Sequence, residues 1–310
     1  MGKQADAALA ARLADWKSAF KDEVTGIQTI MDDMLWDYAA FRTAISIVYL
    51  ANQRQRANNP QDDAATLNQM LFNLLAKGYW SSLLLGARKL LDDGPIRGPR
   101  GVNSLRAILS DIKAVQPKLT RRVYVEKLRM ARYDLEKLQQ VNWETLKAAN
   151  GMPIWGDPAL MQSDFAHRDF DYLSGVKPAD RTELDLIDPM VFDLFESRLA
   201  QLDEISEHTS THIAHAGNAE SRLGKGLEQF DMRDAREVLK ALKELSDRIG
   251  LWFADSGVAT LAVYQGDQFE ALDLPAVASI DLPELEANWG IIDQDIDSWT
   301  LSPEELLTGG

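Results

Sequence analysis

The chain has no cysteine among its 310 residues, which removes disulfides, thiolate zinc sites and a cysteine nucleophile from consideration and suits a reducing compartment. Apolar runs are short, none approaching the ~20 residues of a membrane span, so no membrane partner is expected. Asp6, Arg12, Asp15, Lys17, Lys21, Asp22 and Glu23 interrupt Met1 to Gln28, so no secretory leader is expected there. A cytoplasmic protein is expected. Phosphate-loop, dinucleotide and Ser-His-Asp signatures are missing, and no cofactor is expected. Histidine is scarce, with four in all, and after Arg248 there is no Lys or Arg.

Charge, by contrast, is plentiful and unevenly placed. The net charge is −15, yet residues 1–150 carry 22 Lys and Arg against 16 Asp and Glu, while the remaining 160 residues carry 11 against 32. The first part is about +6 and the second about −21, so the two should attract. Arg97 to Lys147 is the most basic stretch, with 12 basic and 5 acidic residues. Within it Arg121, Arg122, Lys127, Arg129 and Arg132 are the candidate contacts to an RNA backbone. Asymmetry of this kind suggests a nucleic-acid surface with an acidic tail, or complementary parts of one fold. An acidic C-terminal segment folded over the basic helix as an autoinhibitor is a further expectation.

Periodicity predicts an all-α protein. Apolar residues recur at helical spacing over Ala5–Gln55, with Gly26 as an interruption, and again from Leu67 to Leu90. Gly94 to Gly101 reads as a loop, Asn103 or Ser104 as the cap of a short helix to Val115, and Lys118–Ala149 as a charged helix. Periodicity fails from Asn150 to Asp188, which predicts a long connection (150–188) of the kind that covers sites. Helices follow over Pro189–Ala216 and Met232–Trp252. Beyond Gly257 a strand over Val258–Tyr264 and a partly ordered acidic tail are expected. The predicted division is a helical domain over 1–256 and an acidic segment over 257–310.

Three of the four histidines fall within eight residues, His208, His212 and His215. Spacings of four and three place them on one face of a helix. If Pro189–Ala216 is continuous, that face points away from the stripe of Phe192, Phe195, Leu199, Leu202 and Ile213. A solvated polar face is the plain interpretation, though such faces are normally built from Lys, Glu, Gln and Arg. Metal binding, with Glu204 adding an oxygen, is weakened because three ligands stacked along one helix cannot all converge on one tetrahedral ion. Acid-base chemistry fits better. Imidazoles can take a proton from a ribose hydroxyl or return one to a leaving oxygen, and Arg222 can carry the phosphate charge. His167 is a lone histidine expected in a structural role. Arg88 and Asp92, four apart, read as an ordinary surface pair.

The segments Leu83-Leu-Leu-Gly-Ala-Arg-Lys-Leu-Leu-Asp92, Asn103-Ser-Leu-Arg-Ala-Ile-Leu109 and His212-Ile-Ala-His215 belong to one ordered pattern over roughly residues 30–250. Together they resemble the HEPN superfamily and, within it, the AbiU-like proteins of abortive infection. The resemblance implies an up-and-down helical bundle of HEPN type that commonly forms a homodimer. It also implies metal-independent endoribonuclease activity in toxin or antiphage systems, with RNA as partner and a regulatory protein as a second one. His215 matches the motif histidine. Family nucleases place an arginine five to seven residues before it, and here those places hold His208, Thr209 and Ser210. Either His208 and His212 take over its role, or Arg88 or Arg222 arrives from elsewhere. Otherwise the site is degenerate and the protein is a non-enzymatic interaction, sensor or immunity component.

Overall fold

The computed structural model describes residues 2–58, 69–140, 158–210, 213, 230–261, 267, 269–270 and 279–308. All regular elements among them are helical. The first two helices, α1 (Gly2–Lys21) and α2 (Ile27–Asn58), are separated at Gly26, where a Cβ would lie 2.4 Å from the Asp22 carbonyl oxygen. Only glycine lets the chain turn that closely. The Asp22 carboxylate secures the turn by accepting from the Val24 and Thr25 amides at 3.0 and 2.6 Å. Along α2 runs α3 (Gln69–Leu91), where Gly86 admits the thioether of Met34.

The short amphipathic α4 (Leu105–Val115) follows the loop that begins at Asp92. Its N-cap Ser104 accepts from the Ala107 amide, and its buried face is Leu105, Ile108, Leu109, Ile112 and Val115. Next comes α5 (Arg121–Val123), which widens into a π turn over Tyr124–Leu128, and then α6 (Leu135–Gln140). The single helix expected over Lys118–Ala149 is therefore broken, at Met130, whose backbone is left-handed with φ 51°. Residues 141–149 of that expectation lie outside the described residues.

The connection expected to be irregular holds a full helix, α7 (Pro158–Ser174). Its buried positions are Leu160, Ser163, Asp164, Ala166, His167, Phe170 and Leu173. Three of these seven are polar, so the apolar stripe that reveals a helix in sequence is interrupted.

The histidine-bearing segment also divides, into α8 (Pro189–Ala200) and α9 (Asp203–Thr209), with a turn at Gln201–Leu202. Asp188 caps α8 by accepting from the Met190 amide at 2.9 Å. Central to the bundle is α10 (Met232–Ile249), started by a reciprocal Asp231–Asp234 capping box and extended by a π turn over Gly250–Ala254. Its buried Val238, Leu239, Leu242, Leu245 and Ile249 belong to one hydrophobic cluster with the interior residues of α1 to α5 and α7 to α9.

Residues beyond 257 enter the same cluster. α11 (Leu282–Asp297) lies on α2, with Trp289 edge-on to Trp36 at 5.6 Å, and α12 (Pro303–Thr308) meets α7 and α8. Ile292, Ile296, Trp299, Leu301 and Leu306 are all buried. The described part of this segment thus covers hydrophobic helix faces rather than the basic stretch, contrary to the autoinhibitory expectation. The expected strand at Val258–Tyr264 is corrected as well. Val258–Leu261 is irregular, and the amides of Ala259 and Thr260 are taken by the carboxylates of Asp247 and Asp32 instead of by a neighbouring strand. Residues 262–264 lie outside the described residues. No helix of the described residues is long and apolar enough to cross a membrane.

Candidate functional site

The break at Gln201–Leu202 changes what the histidine segment presents. In α9 the buried positions are Ile205 and Thr209, with Leu202 buried just before the helix, and the Thr209 hydroxyl returns to the Ile205 carbonyl at 2.7 Å. His208 is half-buried on the flank of that face. Leu199 and Leu202 of the expected apolar stripe are in the core and Ile213 packs against it despite the turn, and Ile205 and Thr209 widen the buried face toward His208, which therefore lies at its edge rather than squarely opposite it. His212, His215 and Arg222 lie outside the described residues. The alternative metal set with Glu204 and His208 likewise includes histidines that lie outside the described residues. Among the described residues no three His, Asp or Glu side chains gather as ligands.

Two arginines from other helices reach α9. It packs along α3, and from there the Arg88 Nε donates to the Ser210 Oγ at 3.1 Å. Arg88 therefore does not form the ordinary helix-surface pair with Asp92 that its spacing suggests. α3 ends at Leu91, so Asp92 is already outside the helix, and its carboxylate accepts from the Gly94 amide at 2.8 Å. From α4, Arg106 pairs with Asp203 at 2.6 Å and with Glu196 of α8 at 3.3 Å. These are ion pairs without hydrogen-bond alignment. A cation thus stands at each end of the helix that carries His208. Sequence reading included Arg106 in the Asn103–Leu109 segment but gave it no role, its signal being an arginine in the otherwise buried N-terminal turn of α4.

The basic stretch is a different matter. Arg121 is fully buried and cannot touch RNA. Its guanidinium pairs with Asp171 at 2.9 Å and Asp185 at 2.7 Å, donates to the His167 carbonyl at 3.1 Å, and stacks over the Phe170 ring at 4.9 Å. Burial pushes the Asp185 carboxyl up, but hydrogen bonds from Thr182 and Arg121 outweigh that and hold it below the usual carboxylate value. Arg122 is exposed yet pairs with Glu183 at 2.6 Å and Glu126 at 3.4 Å. Arg129 pairs with Asp169 at 3.2 Å and donates to the Leu251 carbonyl, and Arg132 pairs with Asp134. Lys127 is exposed. The stretch packs on α7, whereas the histidine segment packs on α3, so the two groups of candidate residues are carried by different elements.

His167, expected in a structural role, is one buried polar site, and Lys243 is a second that was not foreseen. His167 is helical rather than in a loop, fully buried, and both its ring nitrogens lack partners. Burial, reinforced by the positive charges of Arg121 and Arg181, lowers its pKa to about 4, so the ring is neutral. Lys243 is also buried. It donates to Asp247 at 2.9 Å and to the Trp299 carbonyl at 3.4 Å, tying α10 to the C-terminal turn. Neither site lies at the histidine segment.

Compared with known families, residues 17–238 match the HEPN family model described as AbiU2. No curated protein and no solved structure matches.

Proposed function

The chain belongs to the HEPN AbiU2 family, and on that premise we propose that it is an abortive-infection effector acting as a metal-independent endoribonuclease. The observation that supports the reading best is the Arg88 Nε to Ser210 Oγ contact at 3.1 Å. Ser210 occupies one of the positions where nuclease relatives would carry the motif arginine. Arg88 brings a guanidinium to that place from another helix.

In this reading an imidazole takes the proton of a ribose 2′-hydroxyl, the oxygen attacks the adjacent phosphorus, and the 5′-oxygen leaves with a proton from a second imidazole. His212 and His215 handle the protons, His208 assists, and Arg88, with Arg222, balances the charge that grows on the phosphate oxygens. Lys127 is exposed, whereas Arg122, Arg129 and Arg132 would hold RNA only after exchanging their carboxylate partners for phosphate, so binding should weaken as salt rises. A homodimer that pairs two histidine segments belongs to the same proposal.

The test is cleavage of total RNA and tRNA by the full chain, with and without EDTA, beside His212→Ala/His215→Ala and Arg88→Ala. EDTA-resistant cleavage that both variants lose by about a hundredfold or more is the expected result. Cleavage abolished by EDTA would replace the reading with metal chemistry.

One observation favours a second reading, a non-enzymatic sensor or immunity component. Arg121, Arg122, Arg129 and Arg132 are all engaged by carboxylates of the same chain, which leaves little cationic surface for RNA. Absence of cleavage in every lane, together with retained dimerisation, would select it.

A further inference from the structure

α9 is poorly anchored by its own sequence. It has seven residues, too few to be stable as an isolated helix, and Leu202 at its N-cap supplies no side-chain acceptor for the free amides. Its direction must therefore be set from outside. α4 is the opposite case, capped by Ser104 and buried through Leu105, Ala107, Ile108 and Leu109. Arg106 projects from that fixed helix with its side chain only 17% exposed, and one guanidinium spans the turn at Gln201–Leu202, meeting Glu196 on α8 and Asp203 at the start of α9. The guanidinium side of these pairs is sheltered, while the Glu196 and Asp203 carboxylates are about half exposed, so what the pairs supply is direction across the turn more than stability.

We propose that Arg106 is the positioning residue of the histidine segment: by clamping Glu196 and Asp203 across the break it fixes the angle between α8 and α9, and so holds His208 and Ser210 in register with Arg88. The catalytic part of this statement rests on the ribonuclease reading, whereas the geometric part does not. Arg106 touches no substrate in this scheme and acts through the helix it aligns. Losing it leaves α9 packed through Ile205 and Thr209 but free to swing at Gln201–Leu202, displacing His208 relative to Arg88. Misplacement by an ångström is costly to a reaction that needs its proton acceptor and its cation on one phosphate.

Two measurements on the full chain test it. Because the chain has no cysteine, spin labels can be attached uniquely at Ser197→Cys on α8 and Glu207→Cys on α9, both exposed positions. The distance distribution between them should be single and narrow in the parent, broad or shifted with Arg106→Gln, and restored by the exchange Arg106→Asp/Asp203→Arg. In parallel, cleavage of a dye-labelled oligoribonucleotide should show kcat lowered about tenfold or more by Arg106→Gln with KM within about twofold, and partial recovery with Arg106→Lys. Circular dichroism melting of each variant establishes that it is folded. If folded Arg106→Gln keeps both the parental distance distribution and the parental kcat, the positioning role is overturned. If the parent and Arg88→Ala alike fail to cleave, the ribonuclease reading fails, and the distance distribution alone decides whether Arg106 sets α9.

Discussion

At the scale of single residues, the charged groups with the largest structural consequences are those taken out of water. Arg121 is held by Asp171 and Asp185, and Asp171 also pairs with Arg181 at 2.5 Å. Truncating Arg121 to Ala leaves carboxylates without their buried partner, a change that typically costs 3–5 kcal/mol. Urea unfolding of Arg121→Ala should show a loss of about that size, and a loss below about 1 kcal/mol would mean that the cluster relaxes into solvent. Acid acts through His167 in a predictable direction. The unfolded ring titrates at its ordinary 6.5 and the buried ring at about 4. The unfolded state therefore takes the proton first, and stability present above pH 6.5 is lost as pH falls toward about 4. Asp32 opposes this, because burial raises its pKa from 3.8 to about 6 and the folded state takes that proton first. His167→Leu should remove a loss of about 2 kcal/mol between pH 7 and pH 5, leaving stability flat or rising toward acid. Equal slopes for parent and variant in urea titrations at the two pH values would refute the assignment. None of this was legible from sequence, since a histidine and an arginine carry no mark of burial until distant residues close around them.

Helices are the scale at which sequence and structure agree best and where the disagreements are most informative. α4 was readable because its apolar positions keep helical spacing behind a serine cap. Ser104→Ala should destabilise by about 1–2 kcal/mol through loss of the cap, and its complete burial places the effect toward the upper end. Chemical denaturation measures it, and an effect below about 0.5 kcal/mol would argue that a neighbouring group replaces the hydroxyl. α7 was unreadable because Ser163, Asp164 and His167 occupy core positions, where a periodicity argument looks for apolar residues. The breaks at Met130 and at Gln201–Leu202 were invisible for a different reason. Neither site has glycine or proline, so the punctuation that normally announces a turn is lacking. The expected orientation of His208 was off for a further reason, since Ile205 and the polar Thr209 are also buried and bring the buried face up to it.

Over the whole molecule, the acidic C-terminal part is structural. Trp299 is fully buried beside Tyr38 at 5.9 Å, and Arg236 of α10 pairs with Asp295 at 2.5 Å. Trp299→Ala should cost about 3–5 kcal/mol, read as a fall in urea midpoint. Removing residues 279–310 should abolish cooperative unfolding rather than enhance RNA binding. A deletion variant that stays folded and binds RNA more tightly would revive the autoinhibitory reading. The charge division of the two halves finds its outlet in such pairs, including Arg54–Asp281 and Lys17–Asp255, so the expected attraction operates within the fold as well as at any external surface.

The sequence by itself determined the helical class, the principal helices, the cap of α4 to within Asn103 or Ser104, and the family, because propensity, spacing and motif residues are local properties of the chain. Tertiary structure alone decided which charges are available for function. Burial consumes Arg121, carboxylates of distant segments engage Arg122 and Arg129 while the nearby Asp134 engages Arg132, and packing of α3 and α4 delivers Arg88 and Arg106 to the histidine segment. Pairing between residues far apart in the chain is set by how helices stack and what water they exclude, and no local spacing encodes it.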